Sequence, residues 1–299
     1  MHLQLPLVSC CISTWNRVSD LRSCISSILS QDYRNLEIVI IDNASFDGTE
    51  TYCEYLKLTS SVPIIYKRMV HSDHSALETI NLAFYSASGK YVLILDDDAA
   101  LISNTAISKS VEYMEEPDNA QVFAVAFHVV NNTEYTILNN KRCVPEFCGA
   151  AALFRRDIGN DLHWYDESLK IYGNELDISI RAYIHGYSIV YLHDCLVRHP
   201  KSDFFKSPYT RNKFALKNSL HAVINYFGFK KRILMTLMYG AGHIYYISKS
   251  NYTFHLFSWW IPWYFKTLLK AVFRINKIQA PAWIQDYYYI RLLNMMNLI

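Results

Sequence analysis

Residues 91–99, Tyr-Val-Leu-Ile-Leu-Asp-Asp-Asp-Ala, run a short apolar strand into three consecutive carboxylates, Asp96, Asp97 and Asp98. Adjacent carboxylates repel one another and are costly unless a cation or several donors compensate them. Mg2+ or Mn2+, held by one or two carboxylates together with substrate phosphates, is the usual compensation. The same residues would also make a solvated acidic turn; the apolar strand in front of them favours the metal site. A second carboxylate ends another apolar run. In ILSQDYRNLEIVIIDNASFDGTE, Asp42 closes the strand and Asn43, Ser45, Asp47 and Gly48 follow. There it can accept hydrogen bonds from a nucleobase or ribose, while Asp47 and Thr49 have the types and spacing to cap the next helix.

Positioning these groups requires strand ends to converge. Short β-branched runs over Leu7–Ser13, Leu36–Ile41, Pro63–Lys67 and Tyr91–Leu95 alternate with helical patterns over Val18–Leu29, Thr49–Leu58 and Ser75–Ser86. This rhythm predicts parallel strands joined by crossover helices, with ligands beyond the carboxyl ends of the strands at a topological switch point. Thr14 to Arg17, Asp42 to Asp47 and Asp96 to Asp98 all follow strand ends, so they should share one crevice. From about residue 120 to 200 the pattern is mixed. QVFAVAFHVV, EFCGAAALFRR and YSIVYLHD read as strands, and ELDISIRAYIHG as a helix stopped by Gly186.

Five segments, VSCCISTWNR, SQDYRNLEIVIIDNASFDGT, ASGKYVLILDDDA, CGAAALFRRD and YGNELDISIRAYIHGY, stand in the order and spacing of a known family. Residues 5 to 200 resemble the inverting family 2 glycosyltransferases of bacterial cell-surface polysaccharide synthesis. The resemblance implies a Rossmann-like α/β GT-A domain with a mixed central sheet over residues 1–200. Its nucleotide-sugar half would be about 1–100 and its acceptor half about 101–200. It implies that Asp42 reads the base and that Thr14 and Arg17 line the nucleotide pocket. Asp96, Asp97 and Asp98 would be the family's DxD element, with Asp96 and Asp98 as its ends and Asp98 nearest the metal and diphosphate.

YGNELD falls at the family's acidic base motif, with Asn174 and Glu175 where Glu-Asp is more usual. The base is then Glu175, with Asp177 as the second candidate. An acid in the first turn of a helix also serves the helix dipole, so Glu175 has a structural reading too. In HSDHSALETIN, Asp73 and Ser75 replace the family's Asn-x-Gly, and Asn81 fits the asparagine that follows. His199, in LVRHPKS, falls where many of these enzymes set a histidine near the metal. A neutral imidazole is a good ligand, and a structural histidine is the other reading. Inverting transfer needs a carboxylate to take the acceptor proton, and a divalent cation to stabilise charge on the departing diphosphate.

The 299 residues, 51% hydrophobic and 19% charged, have the composition of a globular chain. The formal net charge of +2 hides a division at residue 200. From Lys201 onward 14 Lys and Arg stand against only Asp203 and Asp286, while 15 basic and 25 acidic residues precede them. All seven cysteines lie in the first 200 residues without CxxC spacing, which fits a reduced, cytosolic setting. The N-terminus has no basic n-region, so no signal peptide is expected.

GFKKRILMTLMYGAGHIYYI and FHLFSWWIPWYFKTLLKAVFRINK contain apolar runs short of the ~20 residues that span a bilayer. Basic residues beside Trp, Tyr and Phe suit an interfacial helix on an anionic membrane surface. Residues 201–299 are therefore expected to form a basic, aromatic, helical, membrane-peripheral extension at the cytoplasmic face of the plasma membrane. Packing of these aromatics on the catalytic domain is the plainer alternative.

A nucleic-acid partner is disfavoured, because no zinc-finger or RNA-recognition signature is present and the acidic half would repel phosphate backbones. The expected reaction moves a hexose-type unit from a UDP- or dTDP-sugar, with Mg2+ or Mn2+, to a hydroxyl of a glycan or lipid-linked acceptor such as a lipopolysaccharide intermediate. The rival is an inactive transferase-like scaffold or partner subunit, suggested by Asn174 and Asp73. A nucleotidyltransferase would need a glycine-rich basic loop near STWNRVSD, and none is there.

Overall fold

Strands that are covered on both faces read as continuous apolar runs, and three such strands form the centre of the molecule. In the computed structural model, which describes residues 5–72, 74–130, 143–200, 208–248, 260–276 and 278–295, these are β1 (Val8–Thr14), β2 (Leu36–Asp42) and β4 (Tyr91–Leu95). The less buried β3 (Ile64–Arg68) lies outside β2. With β5 (Ala100–Leu101), β6 (Val122–Val130), β7 (Ala151–Arg155) and β8 (Ser188–Arg198) they make one sheet, ordered β3-β2-β1-β4-β7-β6-β8-β5. Pairing is parallel from β3 to β4 and antiparallel on both sides of β7; β6 and β8 are parallel, and β5 runs against β8. The chain winds outward from β1 to β3, then returns to place β4 on the other side of β1. This reversal is the switch point at which open α/β sheets bind ligands.

Helices cover both faces. Leu21, Cys24, Ile25 and Ile28 of α1 (Val18–Leu29) pack with Tyr52, Cys53 and Leu56 of α2 (Thr49–Thr59) and with Ile107, Val111 and Met114 of α4 (Ala106–Glu115). They share one core with Val8, Cys10 and Ile12 of β1. The opposite face is met by α3 (Ala76–Ser86), whose first turn carries a capping box between Ser75 and Glu78. Phe84 of α3 stacks near Trp164, centroids 4.4 Å apart, and α5 (Arg156–Asp161) places Gly159 beneath the Trp164 ring. A Cβ at Gly159 would come within 2.2 Å of that indole, so only glycine fits.

The chain groups into two compact units, one made of Met1–Ile171 with Gly186–Ser202, the other of Tyr172–His185 with Asp203–Ile299. The second unit is helical: α6 (Asn174–Ile184), α7 (Pro208–Tyr226), α8 (Phe229–Ser248), α9 (Ile261–Phe273) and α10 (Ala282–Met295). The α6 helix thus groups with the C-terminal residues, although the charge change falls later, at residue 200. Its entry is tight: Tyr172 and Gly173 both adopt positive φ, and the Asn218 side chain donates to the Tyr172 carbonyl. Helices α8 and α9 meet where Tyr264 Oη donates to the Thr236 carbonyl and the Tyr264 ring lies over Gly240. Arg232, buried, donates to the carbonyls of Phe227, Ala271 and Arg274. Among the described residues, no helix is long and apolar enough to cross a membrane.

Candidate functional site

The three aspartates occupy a tight turn, in which the Asp96 carbonyl accepts from the Ala99 amide at 2.9 Å and the Asp96 amide donates to the Ala150 carbonyl of the segment entering β7. A turn sends successive side chains in different directions, and this one separates the three carboxylates. Asp97 points inward, accepting from Thr14 Oγ1 at 2.8 Å and from Arg17 at 3.0 Å. Asp98 shares that guanidinium at 2.8 Å through Oδ2, and its Oδ1 faces His199 Nε2 at 3.0 Å. Asp96 Oδ2 lies 3.5 Å from the same nitrogen.

The histidine is delivered by strand register. Because β5 runs antiparallel to β8 with Ala100 opposite Arg198 and Leu101 opposite Val197, the next residues along each strand set His199 across from the Asp-rich turn.

Asp96, Asp98 and His199 offer two carboxylate oxygens and one imidazole nitrogen within 4.8 Å of one another, the one such group among the described residues. Their side chains are 47%, 7% and 17% exposed, so one ligand faces solvent and two are held by the fold. Oxygen donors with one imidazole suit a hard or borderline divalent cation that keeps open positions for water or phosphate. Electrostatics agree with this geometry. Burial pushes the Asp97 carboxyl up to about 6, against the pull of Arg17 and Thr14. Burial also opposes the charge of Asp98, yet the His199 hydrogen bond and charge, with Arg17 behind them, hold it below the usual carboxylate range. The hydrogen bond to Asp98 in turn raises the His199 ring above the ordinary imidazole value, despite its burial.

Asp42 sits at the end of β2, fully buried, opposite Thr14 in the parallel register. Its Oδ1 accepts from the amide and hydroxyl of Ser45, and its Oδ2 from Tyr66 Oη at 2.8 Å. It therefore shapes the 43–48 loop from beneath. Arg68, opposite Asp42 in the β2–β3 register, donates to the Ser45 carbonyl. Sequence reasoning did not single out Tyr66 or Arg68; the two-residue period of β3, which puts 64, 66 and 68 on one face, is the signal that finds them.

Asp47 accepts from the first amides of two helices, Val18 of α1 and Thr49 of α2, as well as from the Thr49 hydroxyl. Burial works against its charge, but these donors hold its carboxyl below the ordinary value. Asn81 is buried and spends its amide on the Tyr165 backbone and the Glu167 carboxylate, so it braces the 165–167 segment. Asp73 lies outside the described residues.

In the second unit, Glu175 is half-buried in the first turn of α6. Asp177 is buried and doubly engaged: Arg181 Nε donates to Oδ2 at 2.8 Å and Tyr226 Oη to Oδ1 at 2.8 Å.

Comparison with known proteins agrees with the sheet. Abequosyltransferase RfbV of Salmonella typhimurium is 38% identical over 104 residues, 33% of this chain and 30% of that protein. The chain spans 41%, 30% and 33% of the length of the first curated relatives it matches. A mannosyltransferase from Pyrobaculum calidifontis, PcManGT, solved with GDP-Man and Mn2+, superposes with a TM-score of 0.63 at 18% identity, covering 90% of this chain and 86% of that one. TarS 1-349 of S. aureus, solved with UDP-GlcNAc, gives 0.58 at 15% identity over 73% and 65%. At these identities the two structures establish the fold alone, and that fold is GT-A. The family described as Glycosyl transferase family 2 matches residues 9–155, from β1 through the aspartate turn to the end of β7, and this stretch of the chain carries that family's domain.

Proposed function

We propose that the chain is an inverting glycosyltransferase that moves a sugar from a UDP- or dTDP-sugar to a hydroxyl of a glycan or lipid-linked acceptor. Its setting is the synthesis of a cell-surface polysaccharide or lipopolysaccharide at the cytoplasmic face of the plasma membrane. The observation that carries this reading is the convergence of Asp96, Asp98 and His199 at the exit of β4. These three would hold Mg2+ or Mn2+, which when bound neutralises charge on the departing diphosphate.

The chain's own groups divide the remaining work. Asp97, tied to Thr14, fixes the turn so that Asp96 and Asp98 stay aimed at His199. Arg17 keeps a quarter of its side chain exposed beside Asp98 and can turn toward a nucleotide phosphate. Asp42 reads the base through the loop it anchors, holding Ser45 and the backbone around it. Asn81 supports the donor side by bracing the 165–167 segment.

Glu175 is the general base that accepts the hydroxyl proton. Asp177 is less suited to that task, because both of its oxygens already accept hydrogen bonds, and its part is to hold Arg181 and Tyr226 in place.

Asp98→Asn keeps shape and removes charge. Metal-dependent donor hydrolysis should fall by about a hundredfold or more, and undiminished turnover would refute the assignment. Glu175→Gln should lower transfer by roughly 10²–10⁴-fold with donor binding intact; transfer at the normal rate would move the base elsewhere. The rival reading, a non-catalytic scaffold, draws on the ion pair of Arg17 with Asp98, since a side-chain cation in that place could replace a metal. Calorimetry with UDP and Mn2+ separates the two, because a degenerate site binds neither.

A further inference from the structure

One face of α9 is apolar and open. Ile261, Phe265, Leu269, Val272 and Phe273 follow the i, i+4, i+8, i+11, i+12 spacing of a single helical row, and all are exposed, Phe265 by 63% and Phe273 by 75%. The row lies beside the face that α9 turns to α8, where Thr267 and Ala271 are buried. Lys266 and Lys270, both exposed, border it, and exposed Arg274 follows at the helix end. No acid occurs between Trp260 and Asn276. A second exposed row, Leu234, Leu237 and Ile244, runs along α8 behind exposed Lys230.

An exposed apolar row this long on a soluble surface marks a binding face, and its border decides the occupant. A second copy would present the same face, with the same lysines and no acid between Trp260 and Asn276, so it offers the border no complementary charge. A bilayer with anionic headgroups satisfies both features, taking the apolar row into its acyl boundary and the lysines into the headgroup layer. The helix is 13 residues, about 20 Å, against a hydrocarbon core of about 30 Å, so it lies in the interface plane rather than across it.

We propose that this face of α9 is the surface by which the chain docks on an anionic lipid bilayer. It names the contact through which a lipid-linked acceptor would be met, and in that respect rests on the transferase reading.

The test is flotation of the full chain with phosphatidylcholine vesicles, with and without one third phosphatidylglycerol. Wild-type chain should bind the anionic vesicles at least tenfold better. Lys266→Gln with Lys270→Gln should lose roughly thirtyfold on anionic vesicles, since each cation near such a surface contributes about one factor of five. Phe265→Ser with Phe273→Ser should lose tenfold or more on both compositions, with circular dichroism unchanged. Should that pair unfold the chain, the lysine pair decides alone.

Failure of the wild type to float, or variants that float as it does, would overturn the proposal. So would sedimentation showing a dimer that the Phe265→Ser and Phe273→Ser pair dissociates. Calorimetry with UDP and Mn2+ on the same wild-type sample keeps the outcomes apart: flotation without nucleotide binding sinks the transferase reading, and the reverse sinks only the docking face.

Discussion

In the first unit, Asp97 and Asp98 are buried beside side-chain cations, Arg17 and His199, whereas in the second Arg232 is buried among the carbonyl oxygens of Phe227, Ala271 and Arg274. Both arrangements satisfy a charge withdrawn from water. They differ in what can replace the partner. A guanidinium or imidazole on a flexible stem can yield to another cation, but a backbone carbonyl at a helix end cannot leave without unravelling the turn. The aspartate turn is therefore suited to exchange and the Arg232 cluster to permanence.

That contrast is most severely tested at Arg232. Replacing it by Met leaves three carbonyls without their donor, and chemical denaturation should show a loss of about 3 kcal/mol or more. A loss near zero would mean that water replaces the donor and that the cluster is less fixed than its geometry implies.

Glu37 offers a test inside the first unit, at a carboxylate that is built for permanence. It is buried in β2, where it accepts from the hydroxyls of Ser9 and Ser88 and from the Ser88 amide. Burial opposes its charge, but these donors lower its pKa. A lowered carboxylate contributes stability above its unfolded value of about 4.3, and that contribution disappears as pH falls through the folded value. Glu37→Gln should cost about 2 kcal/mol at neutral pH. The gap from wild type should narrow on acidification below the unfolded value, as followed by thermal melts across pH. A gap that does not change with pH would show that the carboxylate's charge contributes nothing to the bracing.

The smallest effect sharpens the idea of exchange. Arg17→Gln removes one competing cation from Asp98, so Mn2+ alone, titrated by calorimetry without nucleotide, should bind roughly tenfold tighter. Unchanged or weaker binding would make Arg17 an aligner of the two carboxylates rather than a stand-in for the ion.

Much of the scaffold was legible in the sequence because its signals are local. The apolar run Tyr91–Leu95 and the helical period of Val18–Leu29 match β4 and α1 end to end. Less legible were elements whose existence depends on partners. EFCGAAALFRR reads as one strand, yet β7 begins only at Ala151, and Arg155 closes it by donating to the carbonyls of Val122 and Asn119. The two-residue β5 has no sequence signature at all, since it exists through pairing with β8. At the site, the aspartates look equivalent as a string of three. The turn alone distinguishes Asp97, aimed at Thr14, from its neighbours. Asn81 shows a second kind of opacity: its side chain is polar and at a ligand-side position, and its hydrogen-bonding partners, Tyr165 and Glu167, come from a distant segment that no spacing rule reveals.

The short β5 has a consequence for assembly. Its pairing with β8 joins Asp98 to His199 across about a hundred residues of chain, and among the described residues β8 is the last strand to be synthesised. The ligand set is thus complete only after the final strand has docked, so a divalent ion would recognise the finished sheet and ignore partly folded forms. Ion binding would then act as a long-range clasp, raising the melting temperature with the logarithm of free ion above its dissociation constant while leaving early folding steps untouched.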